Sequence, residues 1–160
     1  MWLPRPVDEV FAFFADAMNL EALTPPWLKF TVLTPKVEMR AGALIDYRLK
    51  VRGLPVRWRT EITAWEPTRR FVDEQLRGPY RLWRHEHTFR PLDGGTVCGD
   101  VVEYRLPGIP GLASDPVSRL VHGVWVRPDL ERIFDYRRDT MLELFGGARN
   151  APAAIPARAG

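Results

Sequence analysis

From Leu28 to Leu106 apolar and polar residues alternate with a period of two, and short turn sequences interrupt the alternation. A period of two puts successive side chains on opposite faces of a strand, so this stretch must build a sheet with one dry and one wet face. The predicted strands are Lys29–Leu33, Ala43–Val51, Val56–Trp65, Arg70–Arg77, Tyr80–Arg90 and Thr96–Leu106. Between them lie Ala41-Gly42, Gly53-Leu54-Pro55, Glu66-Pro67, Gly78-Pro79 and Asp93-Gly94-Gly95. Breaks this short join neighbouring strands as hairpins, which makes the sheet an antiparallel meander.

Helical periods flank the sheet. Pro6 to Met18 carries Val7, Val10, Phe11, Phe14 and Met18 on one stripe, with Asp8 and Glu9 at the positive end of the helix dipole. A second short helix is expected over Leu20–Leu23, ended by Pro25-Pro26. After a Gly- and Pro-rich loop, Pro107–Pro116, an apolar stripe runs from Val117 to Phe145 and closes at Gly146-Gly147. Pro128 inside it should kink or split the helix near Val126-Arg127. The expected organisation is one α+β domain over residues 1–145 and a disordered tail over residues 146–160.

Alternation sorts the strand residues. Ile45, Tyr47 and Leu49 share a face; so do Trp58, Thr60 and Ile62; Phe71, Asp73 and Gln75; Trp83, His85, His87 and Phe89; and Cys98, Asp100, Val102 and Tyr104. The opposite faces carry most of the charge and belong in water. The inner face is too polar for a dry core, because an unpaired buried polar group costs about 2–7 kcal/mol. Asp73, Gln75, His85, His87 and Asp100 therefore need partners in each other, in water or in a ligand. An aromatic interior with a few convergent polar groups is the composition of a binding cavity.

Composition removes other classes. Basic residues exceed acidic ones by three, 23 against 20, but they are spread along the chain without a stripe, so nucleic acid is not an expected partner. No run of about 18 apolar residues marks a membrane span. Met1 to Pro6 lacks the pattern of a signal peptide, and the single Cys98 excludes an internal disulfide; both suit a cytoplasmic protein. The oligomeric state is left open.

The segments Leu3-Pro4-Arg5-Pro6, Leu23-Thr24-Pro25-Pro26-Trp27-Leu28, Phe71-Val72-Asp73-Glu74-Gln75, Gly78 to Phe89, and Leu130 to Arg137 resemble the START-like, or Bet v 1-like, superfamily. More narrowly the chain resembles bacterial SRPBCC proteins of the polyketide cyclase/dehydrase type over residues 3–145. The resemblance implies a helix-grip fold, in which a curved antiparallel sheet wraps around a long C-terminal α-helix. Members carry a full strand before the Leu-Pro-Arg-Pro segment, whereas only Met1-Trp2 precedes it here, so a clipped first strand is expected.

The resemblance and the inner face together imply a cavity for a small hydrophobic molecule (a lipid, quinone or polyketide-like compound) held by a carrier or sensor. The expected ligand-binding surface is Tyr47, Trp58, Asp73, Gln75, Trp83, His85, His87, Asp100 and Tyr104, with Trp27 at the mouth. One alternative is a cyclase or dehydratase in which His85 or His87, held by Asp100, moves protons. Another is a protein-interaction module whose cavity is vestigial. A metal on His85 and His87 would need a third ligand from Asp73 or Asp100; without a further Cys/His cluster, no metal or cofactor is expected. Cys98 reads as an inert buried thiol. Asp135, Arg137 and Arg138 read as the wet side of the last helix.

Overall fold

The structure, a computed structural model, describes residues 1–107 and 126–147. The expected loop at Pro107–Pro116 beyond its first residue, the helical stretch before Val126 and the tail beyond Gly147 lie outside the described residues. Strands β1 (Trp2–Leu3), β2 (Thr31–Val32), β3 (Leu44–Val51), β4 (Leu54–Glu66), β5 (Arg70–Arg77), β6 (Leu82–Leu92) and β7 (Gly95–Arg105) form one antiparallel sheet. Its order is β1-β7-β6-β5-β4-β3-β2, so the two shortest strands are its edges. Helix α1 (Val7–Phe14) follows β1, and helix α2 (Arg127–Phe145) follows the sheet. The arrangement is the α+β helix grip that the resemblance implied.

The hairpins show how local chemistry sets strand ends. Val51 pairs with Leu54, and Arg52 and Gly53 between them both have positive φ, at 50° and 83°. Leu92 pairs with Gly95 around Asp93 and Gly94, at 49° and 73°. Two consecutive positive-φ residues make the turn whose twist matches that of the flanking strands. The breaks are therefore two residues long and end earlier than expected, by two residues in the first and by one in the second. Leu54 and Pro55 belong to β4, and Gly95 belongs to β7.

Two register shifts bend β4 against β5, one between Arg59 and Thr60 and one between Ile62 and Ala64. The second also changes parity. Ile62 is buried, and three positions later Trp65 packs inside against Phe11 and Phe71, with ring centroids 5.1 and 5.5 Å apart. An unbroken alternation would have turned Trp65 out.

The helical segments differ from expectation at both ends. α1 stops at Phe14, because Asp16 accepts a hydrogen bond from the Met18 amide and starts a separate 3₁₀ turn, Ala17–Leu20. Met18 thereby leaves the apolar stripe and is exposed. Pro25-Pro26 does not close a helix; it opens the 3₁₀ turn Pro26–Leu28, as proline suits a first helical position. In α2, Pro128 is the second residue of the described helix, and the residues before Val126 on which the expected kink depends lie outside the described residues. Gly146 closes α2 in the left-handed conformation, as expected.

β1 is short but well tied. The Met1 ammonium donates to the Cys98 carbonyl at 2.7 Å, the Cys98 amide returns a bond to Met1 at 2.8 Å, and the Trp2 indole donates to the Leu92 carbonyl. The core gathers where α1, the sheet and the end of α2 meet: Val10, Phe11 and Phe14 against Phe71, Phe89, Met141 and Phe145. Each such side chain contributes about 1.5–3 kcal/mol when removed from water. Between this core and the β3–β4 hairpin, α2 stands off the sheet, and a cavity opens.

Candidate functional site

The cavity measures about 700 Å³, which suits a small organic molecule. Tyr47, Trp58, Asp73, Trp83, His85 and His87, all expected on the inner face, line it. Leu130, Ile133, Phe134 and Arg137 of α2 line it from the other side. Trp27 is also in the lining, half exposed, with the Arg132 guanidinium over its ring and Tyr136 at its edge.

One part of the wall is aromatic and internally satisfied. Trp58 stacks on Tyr47 at 5.8 Å and meets Trp83 edge-on at 5.4 Å. The Trp58 indole donates to Thr60 Oγ1 at 3.0 Å, and the Tyr47 hydroxyl shares a 3.1 Å hydrogen bond with the same oxygen. Burial, with Asp73 nearby, pushes the Tyr47 phenol well above its ordinary range, so it stays neutral. With the polar atoms of Trp58 and Tyr47 paired inside the protein, this wall presents mainly π-faces and carbon.

The adjoining wall is charged. β5 and β6 place Asp73 opposite His85, and β6 and β7 place His87 opposite Asp100. His85 Nε2 lies 2.9 Å from Asp100 Oδ1, and His87 Nδ1 lies 3.0 Å from the same oxygen. The two remaining ring nitrogens face Asp73: His87 Nε2 at 3.1 Å and His85 Nδ1 at 3.6 Å from Oδ1. Both histidines are buried, and Phe71 stacks on His87 at 4.1 Å.

These contacts set the protonation. Burial alone would push both imidazoles down. For His85 it prevails, reinforced by the charge of His87, and that ring is neutral. For His87 the bonds to Asp100 and Asp73 outweigh burial and raise its pKa. Burial pushes Asp100 up, but the Arg137 charge and the two histidines overcome it and hold the carboxyl well below its usual range. Asp73 is likewise lowered, its burial offset by His87 and His85.

Arg137 corrects an expectation. Asp135 and Arg138 do lie on the wet side, joined at 2.7 Å. Arg137 instead turns inward, its guanidinium 5.2 Å from the Phe14 ring and Nη2 at 3.5 Å from His87 Nδ1. At that separation the contact is not a strong hydrogen bond. Its Nε is buried and has no hydrogen-bond partner among the described residues. Its helical phase could have identified it: Leu130, Ile133, Phe134, Arg137 and Met141 follow one 3.6-residue stripe.

Three expected residues, Gln75, Tyr104 and Asp100, stand outside the lining. Gln75 donates from Nε2 to the Tyr80 carbonyl at 2.6 Å and accepts from the Tyr80 amide at 3.3 Å, so it clamps the β5–β6 connection. Tyr80, which was not singled out, thereby becomes part of the wall, 4.9 Å from Trp83 and 5.6 Å from Trp58. Tyr104 packs on Tyr80 and Trp83 from the β7 side. Asp100 touches the cavity only through the histidines it holds. Cys98 is buried, and burial pushes its thiol up to about 12.

A helix-grip fold around a cavity of mixed aromatic and charged lining defines a ligand-binding class of protein. Residues 3–123 match the family of polyketide cyclase/dehydrase and lipid transport proteins, and the chain belongs to that family. Its fold is shared with solved structures. Protein CV1439 from Chromobacterium violaceum is 16% identical, with a TM-score of 0.67 over 92% of this chain and 94% of that one. Protein Ms6760 from Mycobacterium smegmatis is 21% identical, with a TM-score of 0.63 over 91% and 87%. The Zhui aromatase/cyclase from Streptomyces sp. R1128 is 20% identical, with a TM-score of 0.57 over 92% and 95%. No protein of curated function matches the chain. Among the described residues no helix is long and apolar enough to cross a membrane.

Proposed function

We propose that this protein binds a small, largely apolar molecule between the sheet and α2, as a carrier or sensor rather than a catalyst. The observation that carries this reading is the cavity of about 700 Å³ with an aromatic wall in which the polar atoms of Trp58 and Tyr47 are already paired. Such a wall favours rings or chains over strongly hydrated solutes. The charged wall beside it suits a single polar end on that molecule, near Arg137 and the histidines. A lipid, a quinone and a polyketide-like compound all have this two-part character. The size of the cavity supports occupancy over a vestigial interior. Native mass spectrometry of the freshly purified protein tests the reading. A copurifying organic mass in one-to-one ratio supports it. An empty protein that takes up no member of an apolar library counts against it.

A second reading is favoured by one observation: His85 and His87 both line the cavity, with Asp100 bonded behind them. That is the placement a general acid–base pair needs in a cyclase or dehydratase. Its test is a pH–rate profile on a candidate substrate with His85→Gln and His87→Gln. Unchanged rates in both variants remove it.

A further inference from the structure

Each histidine in the charged wall uses its two ring nitrogens for different carboxylates. Asp100 takes His85 Nε2 and His87 Nδ1, at 2.9 and 3.0 Å. This leaves His85 Nδ1 and His87 Nε2 turned toward Asp73 Oδ1, and the three atoms lie within 4.8 Å of one another. Metal-binding histidines are commonly held in this way: an outer carboxylate accepts from the far nitrogen and fixes the tautomer and ring plane. Here one outer carboxylate orients both rings.

We propose that Asp73, His85 and His87 form a binding site for a divalent first-row transition metal ion, with Asp100 as the positioning residue behind it. The spacing fits. Bonds of about 2.0–2.1 Å place neighbouring ligand atoms about 2.9–3.4 Å apart in octahedral or tetrahedral geometry. The Asp73 oxygen is 3.1 Å from one histidine nitrogen and 3.6 Å from the other, so small rotations bring both into range. Two imidazoles and one carboxylate suit zinc or ferrous iron, and three protein ligands leave positions open. All three side chains line the cavity, so the open positions face its interior. The charges are also compatible. With neutral histidines, two carboxylates and Arg137 leave one negative charge, which a divalent ion more than offsets. Arg137 approaches the set at His87 Nδ1, the nitrogen that faces Asp100 and not Asp73, at 3.5 Å.

This site goes beyond the binding function and does not depend on it. The cavity can hold an apolar molecule with or without an ion in its wall.

The test uses the full chain, stripped with a chelator and titrated with Co²⁺ alone, read by visible absorption and by competition with Zn²⁺. The wild type should bind one equivalent, with ligand-field bands of low coordination number, and Zn²⁺ should displace it. Asp73→Asn and His87→Gln should weaken binding by about 100-fold or more, and Asp100→Asn by about 10–100-fold. Near-ultraviolet circular dichroism identifies variants that have kept their fold, and only these are compared. Uptake of an apolar fluorescent probe in the presence of chelator is measured in parallel and reports on the cavity separately. Failure of folded wild type to bind either ion at millimolar concentration would overturn the proposal. So would folded Asp73→Asn, His87→Gln or Asp100→Asn protein that binds as the wild type does.

Discussion

His85 Nε2 lies 2.9 Å from Asp100 Oδ1, on the opposite side of the imidazole from Asp73. The bond joins β6 to β7 across the inner face of the sheet, and it fixes which nitrogen of His85 is left for other uses. A buried neutral imidazole needs one acceptor, and Asp100 supplies it.

Removing that acceptor strands two buried rings. Asp100→Ala should lower the free energy of unfolding by about 3–5 kcal/mol, as when one partner of a buried charge set is deleted. Asp100→Asn should cost less, because the amide oxygen still accepts one bond. Urea denaturation of chelator-treated protein measures both. Equal costs would contradict the claim that one accepted hydrogen bond at this position offsets part of the loss.

Gln75 shapes the cavity without lining it. Its two bonds to Tyr80 hold the β5–β6 connection against Trp58 and Trp83. Gln75→Ala should cost about 1–3 kcal/mol, the scale of two neutral hydrogen bonds, and should weaken probe binding several-fold. Gly78→Ala should do the same, since a Cβ there collides with the Gln75 side-chain amide. Calorimetry and probe titration on both variants check the pairing; divergent effects would break the link between clamp and cavity.

The thiol of Cys98 is pushed up to about 12 by burial. It should resist alkylation at pH 8 in the folded protein and react at once in denaturant. The linkage has a definite sign. An unfolded cysteine ionises near pH 8.5 while the native one keeps its proton, so this residue removes stability as pH rises above that value. The loss is at most about 1.4 kcal/mol per pH unit. Cys98→Ala should flatten this alkaline limb of a stability–pH curve.

At the far end of the cavity Arg52, in the β3–β4 turn, pairs with Asp129 in the first turn of α2 at 3.0 Å. Both residues are partly exposed and both border the cavity. An exposed pair of this kind contributes under about 1 kcal/mol to stability, yet it bridges the two walls. Asp129→Ala should leave the melting temperature nearly unchanged and speed probe release several-fold in stopped flow. Raising the salt concentration should speed release from the wild type and not from the variant.

Much of this was legible in the sequence because a period of two is unforgiving. One misplaced residue turns a whole strand over, so Tyr47, Trp58, Asp73, Trp83, His85 and His87 could be assigned to one face before any coordinates. The departures have separate causes. Trp65 follows a bulge, which alternation cannot foresee. The turn at Arg52-Gly53 depends on positive φ at a residue type that rarely signals it. Gln75 is on the expected strand, but its reach to Tyr80 depends on the shape of a loop. Arg137 was read by its charge, although its helical phase points inward. Which nitrogen of each histidine faces which carboxylate is set by side-chain rotamers, and no spacing of residues encodes that.

The central claim is that the cavity holds one small apolar molecule. Fluorescence titration with an anilinonaphthalene probe tests it most directly, in wild type and in two variants that fill the cavity from opposite walls, Leu49→Trp on β3 and Ile133→Trp on α2. One saturable site per chain in the wild type, with affinity reduced at least about 10-fold in both folded variants, is the predicted result. Absence of saturable binding, or binding that both fillings leave unchanged, would contradict it.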